Sequence, residues 1–408
     1  MARRRRHCRR AVVLPVVRLS PFLLETAILL TGSTSSDAPL RIVGVDPELG
    51  FAGGESQALG LSLELLRLGH RAELMCDANG LLWQRARAAN VVCHPLRIRN
   101  ALDCLAGMRL RAFLSRNHFD VVHFHTSRAH SMAPFASGLA GALVVTRRMD
   151  YVPNRWFAPY LYNRAVDGVA AISQGVATAL STAGVSPERI CLIPSGVDCA
   201  RFAPPSADQR SAARQALGIE PGQIAIGAVG ALELRKGHRY LLDAMGGLQR
   251  SAPGIRCYIA GDGSQRSALK EQIRQLGLGQ SVRLTGSIGD PRTLFWAIDI
   301  FVQPSVMEGL GVALLEAIAC GLPAIASRTG GMVEAIEDRH NGLLVAASDS
   351  TALARAIEEL AGSPATRSAF GAEARAKAER TFSLAAMARS TMALYQSCLG
   401  RRTRRCAA

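Results

Sequence analysis

Residues 303–327, QPSVMEGLGVALLEAIACGLPAIAS, carry the pattern that most constrains the fold of this chain. An apolar strand opens the stretch, and a polar turn with Glu308 follows it. Gly309 and Gly311 then begin an apolar helix, which a glycine and a proline end. A strand, a turn and a helix in this order form one unit of a parallel sheet, with backbone N–H groups at the helix start directed at the turn. The natural ligand at such a position is a phosphate.

Two acidic side chains belong to this unit, Glu308 in the turn and Glu316 about two turns into the helix. We expect them to lie at different depths along one wall of a cleft. One carboxylate can then accept hydrogen bonds from one ring of hydroxyls and the other from a second ring. Acidic residues near a helix start also serve as simple capping charges, so either glutamate could be structural.

The same order of elements recurs along the chain. Near residue 40, LRIVGVD has the composition of a buried strand, and a polar turn and an apolar-periodic helix follow it. Gly53 and Gly54 stand in that turn, where they allow close approach to an anion or simply form the turn. A proline-containing segment near residues 190–205 separates this half from a second half with the same pattern. The length of 408 residues suits two domains with a cleft between them.

Polar side chains follow two apolar strands of the first half. His125 ends DVVHFH, and Arg147, Arg148 and Asp150 follow ALVVT. Ligands of open parallel sheets bind at the carboxyl ends of strands, so His125 is placed where chemistry would occur. The two arginines and the acid could meet an anionic acceptor or could form an ion-pair network between domains.

The second half contains a basic pair and a glycine pair at strand ends. Arg235 and Lys236 are adjacent at a strand-to-helix turn, where they could bind phosphate oxygens or form a solvated basic turn. Gly261 and Gly263 form a Gly-Asp-Gly turn after the next strand. A dinucleotide-binding enzyme could carry such a turn, but the full G-x-G-x-x-G is missing, which counts against NAD.

Basic residues concentrate at the two ends of the chain. The formal charge is +16, and ten arginines account for much of the excess: those at positions 3–6, 9, 10, 401, 402, 404 and 405. A nucleic-acid-binding surface over the whole fold is therefore not required. The ends could contact anionic lipid head groups, each basic residue contributing about 1 kcal/mol, or could simply be solvated. We expect residues 1–38 to be a poorly ordered basic extension, since its apolar runs fall short of the roughly 18 residues that span a bilayer.

The ten cysteines are scattered and contain no C-x-x-C pair. This distribution favours reduced thiols in a cytoplasmic protein over disulfides or a zinc site. No strand-end Asp-x-Asp pair is present either, so we expect no metal ion.

The Glu-x7-Glu spacing of Glu308 and Glu316 resembles the signature of retaining nucleotide-sugar glycosyltransferases of family 4, which have the GT-B fold. The resemblance covers roughly residues 40–395 and includes the small residues between the two acids. Further matching positions are Pro194, Gly196, Val197, Asp198, Arg235, Lys236, Gly330, Gly331 and Glu334.

The resemblance implies an α/β fold of two Rossmann-like domains facing each other across a cleft. It places an acceptor-side domain over residues 39–197 and a nucleotide-sugar-binding domain over residues 198–382. Residues 383–408 would form a helix that crosses back to the first domain, followed by a basic tail.

Roles for individual residues also follow from the resemblance. Glu308 would contact the transferred sugar, Glu316 the ribose of the nucleotide, and His125 the donor sugar. Arg235 and Lys236 would bind the donor diphosphate. The remaining donor-binding positions would be Gly53, Gly54, Gly261, Gly263, Gly309, Leu310 and Gly311.

The implied activity is transfer of a sugar from a UDP- or GDP-sugar to an acceptor hydroxyl, with retention of configuration and without a metal or other cofactor. The expected acceptor is a cell-envelope saccharide or a lipid-linked one, and the expected location is the cytoplasm, with contact to the inner face of the plasma membrane as a further expectation. Two alternatives remain: a nucleotide-sugar epimerase of similar fold, and a carbohydrate-binding relative without catalysis. An epimerase needs acid and base groups on both sugar faces, and only His125 is an obvious candidate.

Overall fold

The computed structural model describes residues 38–407, with side chains as far as Arg402. Nearly all of the extension predicted over residues 1–38, including its arginines, lies outside the described residues. So do the side chains of Arg404 and Arg405.

Seven parallel strands form a first sheet in the order β3-β2-β1-β4-β5-β6-β7. They are β1 Arg41–Asp46, β2 Arg71–Cys76, β3 Val92–Pro95, β4 Phe119–Phe124, β5 Ala140–Arg147, β6 Gly168–Ala171 and β7 Ile190–Leu192. The α-helices between and after them are α1 Gly53–Arg67, α2 Leu81–Ala88, α3 Cys104–Arg116, α4 Ser127–His130, α5 Ala133–Ala136, α6 Ala158–Tyr160 and α7 Gln174–Thr182. The central strands are continuous apolar runs because helices cover both faces of a parallel sheet.

Six parallel strands form a second sheet in the order β10-β9-β8-β11-β12-β13. They are β8 Ile224–Val229, β9 Ile255–Ala260, β10 Val282–Gly286, β11 Ile300–Gln303, β12 Ala324–Ser327 and β13 Gly342–Val345. The helices of this half are α8 Ala207–Leu217, α9 His238–Leu248, α10 Arg266–Gln275, α11 Arg292–Ala297, α12 Val312–Ala319, α13 Met332–Ala335, α14 Ser350–Gly362 and α15 Pro364–Thr381. The strand order repeats that of the first six strands of the first sheet, without a counterpart of β7.

The order of strands reverses beside β1 in the first sheet and beside β8 in the second. Ligands of doubly wound sheets bind at such points, outside the carboxyl ends of the strands. Loops from the two carboxyl edges meet: a Cβ on Gly53 would lie 2.9 Å from Val312, and one on Gly309 would overlap the carbonyl oxygen of Arg148. The predicted pair of Rossmann-like domains facing each other across a cleft is confirmed.

The chain crosses between the two sheets twice, and the two crossings are hydrogen-bonded to each other. The N–H of Val197 donates to the carbonyl of Phe382 at 2.6 Å, and the N–H of Leu384 donates to the carbonyl of Val197 at 3.0 Å. The last helix, α16 Leu384–Ala407, then packs on the first sheet, where Met387, Tyr395 and Cys398 are buried. Within the described part of the chain, no helix is long and apolar enough to cross a membrane.

Candidate functional site

A pocket of about 240 Å³ lies at the carboxyl edge of the first sheet. Residues at the end of β5 and in the segments that follow β1, β4 and β5 line it: Glu48, Gly54, Glu55, His125, Thr126, Ser127, His130, Thr146, Arg148 and Met149. Gly309 of the second sheet packs against the backbone of Arg148, so the turn that carries Glu308 lies beside the rim of this pocket.

His125 lies in the wall of the pocket, one residue beyond the end of β4. Its backbone N–H donates to the carbonyl of Val45 at 3.0 Å, and its side chain is only 3% exposed. Burial holds the pKa of the imidazole well below its usual range, so the ring is neutral at physiological pH. Nδ1 has no hydrogen-bond partner among the residues described.

His123 lies deeper in the same strand and supports His125. Its ring nitrogens bond the Tyr395 hydroxyl at 2.6 Å and the Thr146 hydroxyl at 2.7 Å, and its ring centroid is 4.2 Å from that of His125. Burial lowers the pKa of His123 to about 3. The position of His125 is therefore fixed through His123 by Tyr395, a residue of the last helix.

Asp46 is a buried acid near the pocket residues Glu55 and Arg148 that the sequence analysis did not single out. It ends β1 at the point where the strand order reverses, is fully buried, and has an Oδ2 without a hydrogen-bond partner among the described residues. Burial, together with the nearby charge of Glu55, raises the pKa of Asp46 to about 7. The signal that could have identified it is an acid at the end of the first strand of a doubly wound sheet.

Arg147, Arg148 and Asp150 were predicted to contact an anionic acceptor or to form an ion-pair network. The guanidinium of Arg147 donates to the carbonyls of Met149 and Tyr151 at 3.2 and 3.1 Å. Neither arginine nor Asp150 forms an ion pair among the described side chains, and Nε of Arg148 and Oδ1 of Asp150 are buried without partners. Arg148 is the one of the three that lines the pocket.

Lys236 and Glu308 meet at the carboxyl edge of the second sheet. Lys236 Nζ lies 2.5 Å from Glu308 Oε2, and the Ser305 hydroxyl donates to the same oxygen at 3.2 Å. Lys236 comes from a 3-10 helix, Leu234–Lys236, after β8, and Glu308 from the loop after β11, which pairs with β8. The structure therefore brings together the two side chains predicted to contact the diphosphate and the transferred sugar.

Arg235, the neighbour of Lys236, has a different position. Its Nε donates to Glu233 at 2.8 Å, and more than a third of its side chain is exposed. Its carbonyl accepts hydrogen bonds from Val306 at 2.8 Å and Met307 at 3.2 Å. Arg235 thus fixes the loop before Glu308 through hydrogen bonds to its backbone carbonyl. Its guanidinium pairs with Glu233 and forms no ion pair with Glu308.

Glu316 lies on α12, beyond the turn that carries Glu308. Burial raises the pKa of its carboxyl group to about 7. Smaller effects come from the positive charge of Arg201, which lowers this pKa, and the negative charge of Asp290, which raises it. Its carboxylate forms no hydrogen bond with another described residue. A carboxylate without protein partners in a cleft is suited to accept hydrogen bonds from hydroxyls of a ligand.

Three of the six predicted donor-binding glycines, Gly261, Gly263 and Gly309, lie where two backbones approach each other. A Cβ on Gly261 would overlap the carbonyl of Gly230, and one on Gly263 would lie 2.6 Å from the carbonyl of Leu232. Gly311, with φ of 86°, caps α12, and the Leu310 side chain is 1% exposed in the core. Gly54 lines the pocket in front of His125. The close approaches at Gly261, Gly263 and Gly309 require glycine whether or not a nucleotide binds beside them. The donor-binding roles of all six glycines and of Leu310 remain predictions.

No group of three or more histidine, cysteine, aspartate or glutamate side chains among residues 38–407 is arranged to hold a metal ion. The eight cysteines between residues 38 and 402 are free thiols.

Two family profiles match consecutive parts of the chain. The profile described as Glycosyltransferase Family 4 matches residues 51–201, and the one described as Glycosyl transferases group 1 matches residues 209–377. The first match contains β2 to β7 and the second contains β8 to β13. The chain belongs to the family 4 glycosyltransferases.

Curated relatives of this family 4 glycosyltransferase align over part of their length. A D-inositol 3-phosphate glycosyltransferase of Pseudarthrobacter chlorophenolicus is 33% identical over 54% of this chain and 54% of its own. A GDP-mannose-dependent monoacylated alpha-(1-6)-phosphatidylinositol monomannoside mannosyltransferase of Corynebacterium glutamicum is 33% identical over 57% of this chain and 62% of its own. The chain thus spans about half to three fifths of the length of these two relatives.

Solved structures share the fold of this family 4 glycosyltransferase. HepE of Anabaena, determined in complex with UDP and glucose, superposes with a TM-score of 0.78 over 88% of this chain and 100% of its own, at 23% identity. A glycosyltransferase of Rickettsia africae superposes with a TM-score of 0.80 over 88% of this chain and 99% of its own, at 22% identity.

Proposed function

We propose that this protein transfers a sugar from a nucleotide diphosphate-sugar to an acceptor hydroxyl, with retention of configuration at the anomeric carbon. The observation that carries the proposal is the contact between Lys236 and Glu308, beside the start of α12 and the rim of the pocket in front of His125. A cation for the diphosphate and an acceptor for sugar hydroxyls lie side by side there. Family membership supports the same reaction.

The donor would lie along the carboxyl edge of the second sheet. Glu316 would accept hydrogen bonds from the ribose hydroxyls, and Lys236 would bind the diphosphate, with the N–H groups at the start of α12 beside it. We propose a UDP- or GDP-sugar, since the HepE structure contains UDP and the Corynebacterium relative is GDP-mannose-dependent.

The charge that develops on the leaving diphosphate would be stabilised by Lys236, Arg235 and the start of α12. Arg235 would have to leave Glu233 to contribute, which its exposed position allows. Because these groups supply positive charge directly, we propose that transfer needs no metal ion. A preorganised donor of this kind is worth about 2.7–4 kcal/mol of transition-state stabilisation elsewhere.

The acceptor would enter from the first sheet. Because the His125 ring is held neutral, it can donate or accept one hydrogen bond to the donor sugar without carrying charge. We propose that a leaving-group phosphate oxygen takes the acceptor proton in a front-face displacement. The names of relatives acting on inositol phosphate, a phosphatidylinositol mannoside and the lipopolysaccharide core support a cell-envelope or lipid-linked acceptor. The free thiols of the described chain support a cytoplasmic setting.

A screen of nucleotide sugars tests the proposal. The protein is incubated with UDP-glucose, UDP-N-acetylglucosamine, UDP-galactose and GDP-mannose, with and without a chelator, and released nucleoside diphosphate and any epimerised sugar are measured. We expect diphosphate release from one donor class, undiminished by the chelator. Lys236→Ala should lower it about 10²–10³-fold, whereas Lys270→Ala, an exposed control, should not. Epimerisation without diphosphate release would contradict the proposal.

A further inference from the structure

Glu334 connects the second half of the chain to the first. Its Oε1 accepts a hydrogen bond from the backbone N–H of Gln174 at 2.7 Å. Glu334 lies on α13, which follows β12 of the second sheet, and Gln174 is the first residue of α7, which follows β6 of the first sheet. The N–H groups in the first turn of a helix have no partner within the helix and lie at the positive end of its dipole. A carboxylate of one half therefore caps a helix of the other half.

Small residues let these two segments pack directly against each other. A Cβ on Gly331, just before α13, would lie 2.7 Å from the Cβ of Ser173, just before α7. A Cβ on Gly175 would lie 3.9 Å from the Cα of Gly330. Ser173 itself is fully buried. The hydrogen bond of Glu334 is therefore part of a packed contact between the two halves.

The segment before α13 also holds the turn that carries Glu308. The N–H of Gly331 donates to the carbonyl of Gly309 at 2.9 Å. The Thr329 hydroxyl donates to the carbonyl of Val306 at 3.2 Å. Hydrogen bonds thus join residues 329–331 to both sides of the turn at Glu308. Whatever fixes the start of α13 also fixes this turn.

We propose that Glu334 is a positioning residue for sugar transfer. By capping α7 it holds the start of α13, and with it the Glu308 turn, in the position in which Glu308 meets the transferred sugar. The inference rests on the proposed sugar transfer, to which it adds a residue that lies outside the Lys236–Glu308 pair. Gln174 is the one hydrogen-bond partner of the Glu334 carboxylate among the described residues, so substituting Glu334 removes this contact and leaves the Lys236–Glu308 pair in place.

A comparison of turnover with nucleotide affinity tests the proposal. The donor that the parent protein hydrolyses is given to Glu334→Ala, to Glu334→Gln and to the control Glu358→Ala, which removes an exposed glutamate of α14 that pairs with no described cation. We expect kcat to fall about 10–100-fold in Glu334→Ala, the value of a hydrogen bond to a charged group. Glu334→Gln should lose less, because its amide oxygen still accepts from the N–H of Gln174. The affinity for nucleoside diphosphate should stay the same, since we assign it to Lys236 and Glu316.

Hydrogen exchange of the free protein provides a readout that needs no activity. Backbone amides of residues 173–176 and of residues 306–311 are followed by mass spectrometry in the parent and the three variants. In Glu334→Ala both segments should exchange at least tenfold faster, because the cap of α7 and the support of the turn are lost together. Exchange in β9, at a distance from this contact in the sheet order, should not change. If Glu334→Ala fails to fold, Glu334→Gln, which keeps the volume of the side chain, provides the same comparison.

Four results would decide against one part of the argument or another. Unchanged kcat and exchange in Glu334→Ala would overturn the positioning role. So would an equal loss of kcat in Glu358→Ala. A loss of nucleoside diphosphate affinity in proportion to kcat would overturn it too, since Glu334 would then act on the donor site as a whole. Faster exchange of both segments in Glu334→Ala, with a parent protein that releases diphosphate from none of the nucleotide sugars, would overturn the sugar transfer and support the hold of Glu334 on the turn.

Discussion

Two oppositely charged side chains with predicted ligand roles neutralise each other in the free protein. The Lys236–Glu308 pair is largely shielded from water, so a diphosphate that binds Lys236 competes with a carboxylate already in place. Glu308 therefore has opposite effects on the two halves of the donor: it would attract the sugar hydroxyls and repel the diphosphate. Glu316 has no such conflict, because no described cation is paired with it.

The two glutamates should be separable by mutation. Glu316→Gln should weaken the donor and free nucleoside diphosphate alike, by roughly 10–100-fold, because an amide offers one acceptor oxygen where the carboxylate offers two. Glu308→Gln should lower transfer strongly yet leave nucleoside diphosphate affinity unchanged or improved, since Lys236 loses its competitor. Calorimetry of nucleotide binding beside transfer rates measures both. Equal weakening of free nucleotide by the two substitutions would mean that the roles are shared or reversed.

Asp46 is expected to make folding stability depend on pH. Its pKa is raised from 3.8 to about 7 by burial, so the folded protein holds a proton that the unfolded chain has lost between these values. The contribution of this group to stability is then fully present below pH 4 and is lost as pH rises from about 4 to about 7, by on the order of 4 kcal/mol. Asp46→Asn should remove much of that decline. The free energy of unfolding of both proteins, measured in urea at pH 5.5 and pH 8, tests this. If it depended on pH as strongly in the variant as in the parent, ionisation of Asp46 would not be the cause of the decline.

At the scale of elements, the sequence predicted the strand-turn-helix units, but it did not reveal the packing contacts that their glycines make. Apolar runs bounded by turns identified β1, β8 and β11 because those strands are buried on both faces. Gly261 and Gly309 were assigned to the ligand, yet each is also required by a backbone from a distant segment, Gly230 and Arg148 respectively. A single sequence does not reveal which backbone a glycine will meet. It also did not single out Asp46, whose importance comes from burial beside Glu55 and Arg148.

Gly330 offers a test of these close approaches. Its φ is 51°, and a Cβ would overlap the carbonyl oxygen of Glu308. Gly330→Ala should therefore displace the Glu308 loop, destabilise the fold by about 1–3 kcal/mol and lower transfer together with it. Gly279→Ala is the matched control, since nothing lies within 4 Å of a Cβ there. Thermal unfolding and transfer rates should distinguish the two, and a Gly330 variant as stable as the control would contradict the expected overlap.

At the scale of the whole molecule, the chain returns to the first sheet after completing the second. The crossings at Val197 and Phe382 pair with each other, so the two halves are connected by two adjacent strands of backbone rather than one linker. This pairing joins segments that composition alone describes as unrelated loops, and it was not predictable from the sequence. The domain boundaries at residues 197 and 382 stay predictions.

Residues 1–38 should be dispensable for transfer to a water-soluble acceptor. The compact unit that contains both sheets begins at Leu40, and the site residues named above all lie within it. A chain beginning at Pro39 should keep the thermal stability and the rate of donor hydrolysis of the full chain. Loss of folded protein on this deletion would mean that the start of the first domain lies earlier than predicted.

The last helix contributes directly to the candidate site through Tyr395. Its hydroxyl bonds His123 at 2.6 Å, and His123 in turn packs its ring against His125. Tyr395→Phe leaves a buried ring nitrogen unpaired, which should cost about 1–3 kcal/mol of stability. Transfer should fall further than stability explains, because His125 loses its support, while nucleoside diphosphate affinity, which we assign to the second sheet, should not change. Tyr160→Phe on the exposed surface is the control. If Tyr395→Phe lowered nucleotide affinity and transfer in parallel, the last helix would act on the whole fold and not on His125.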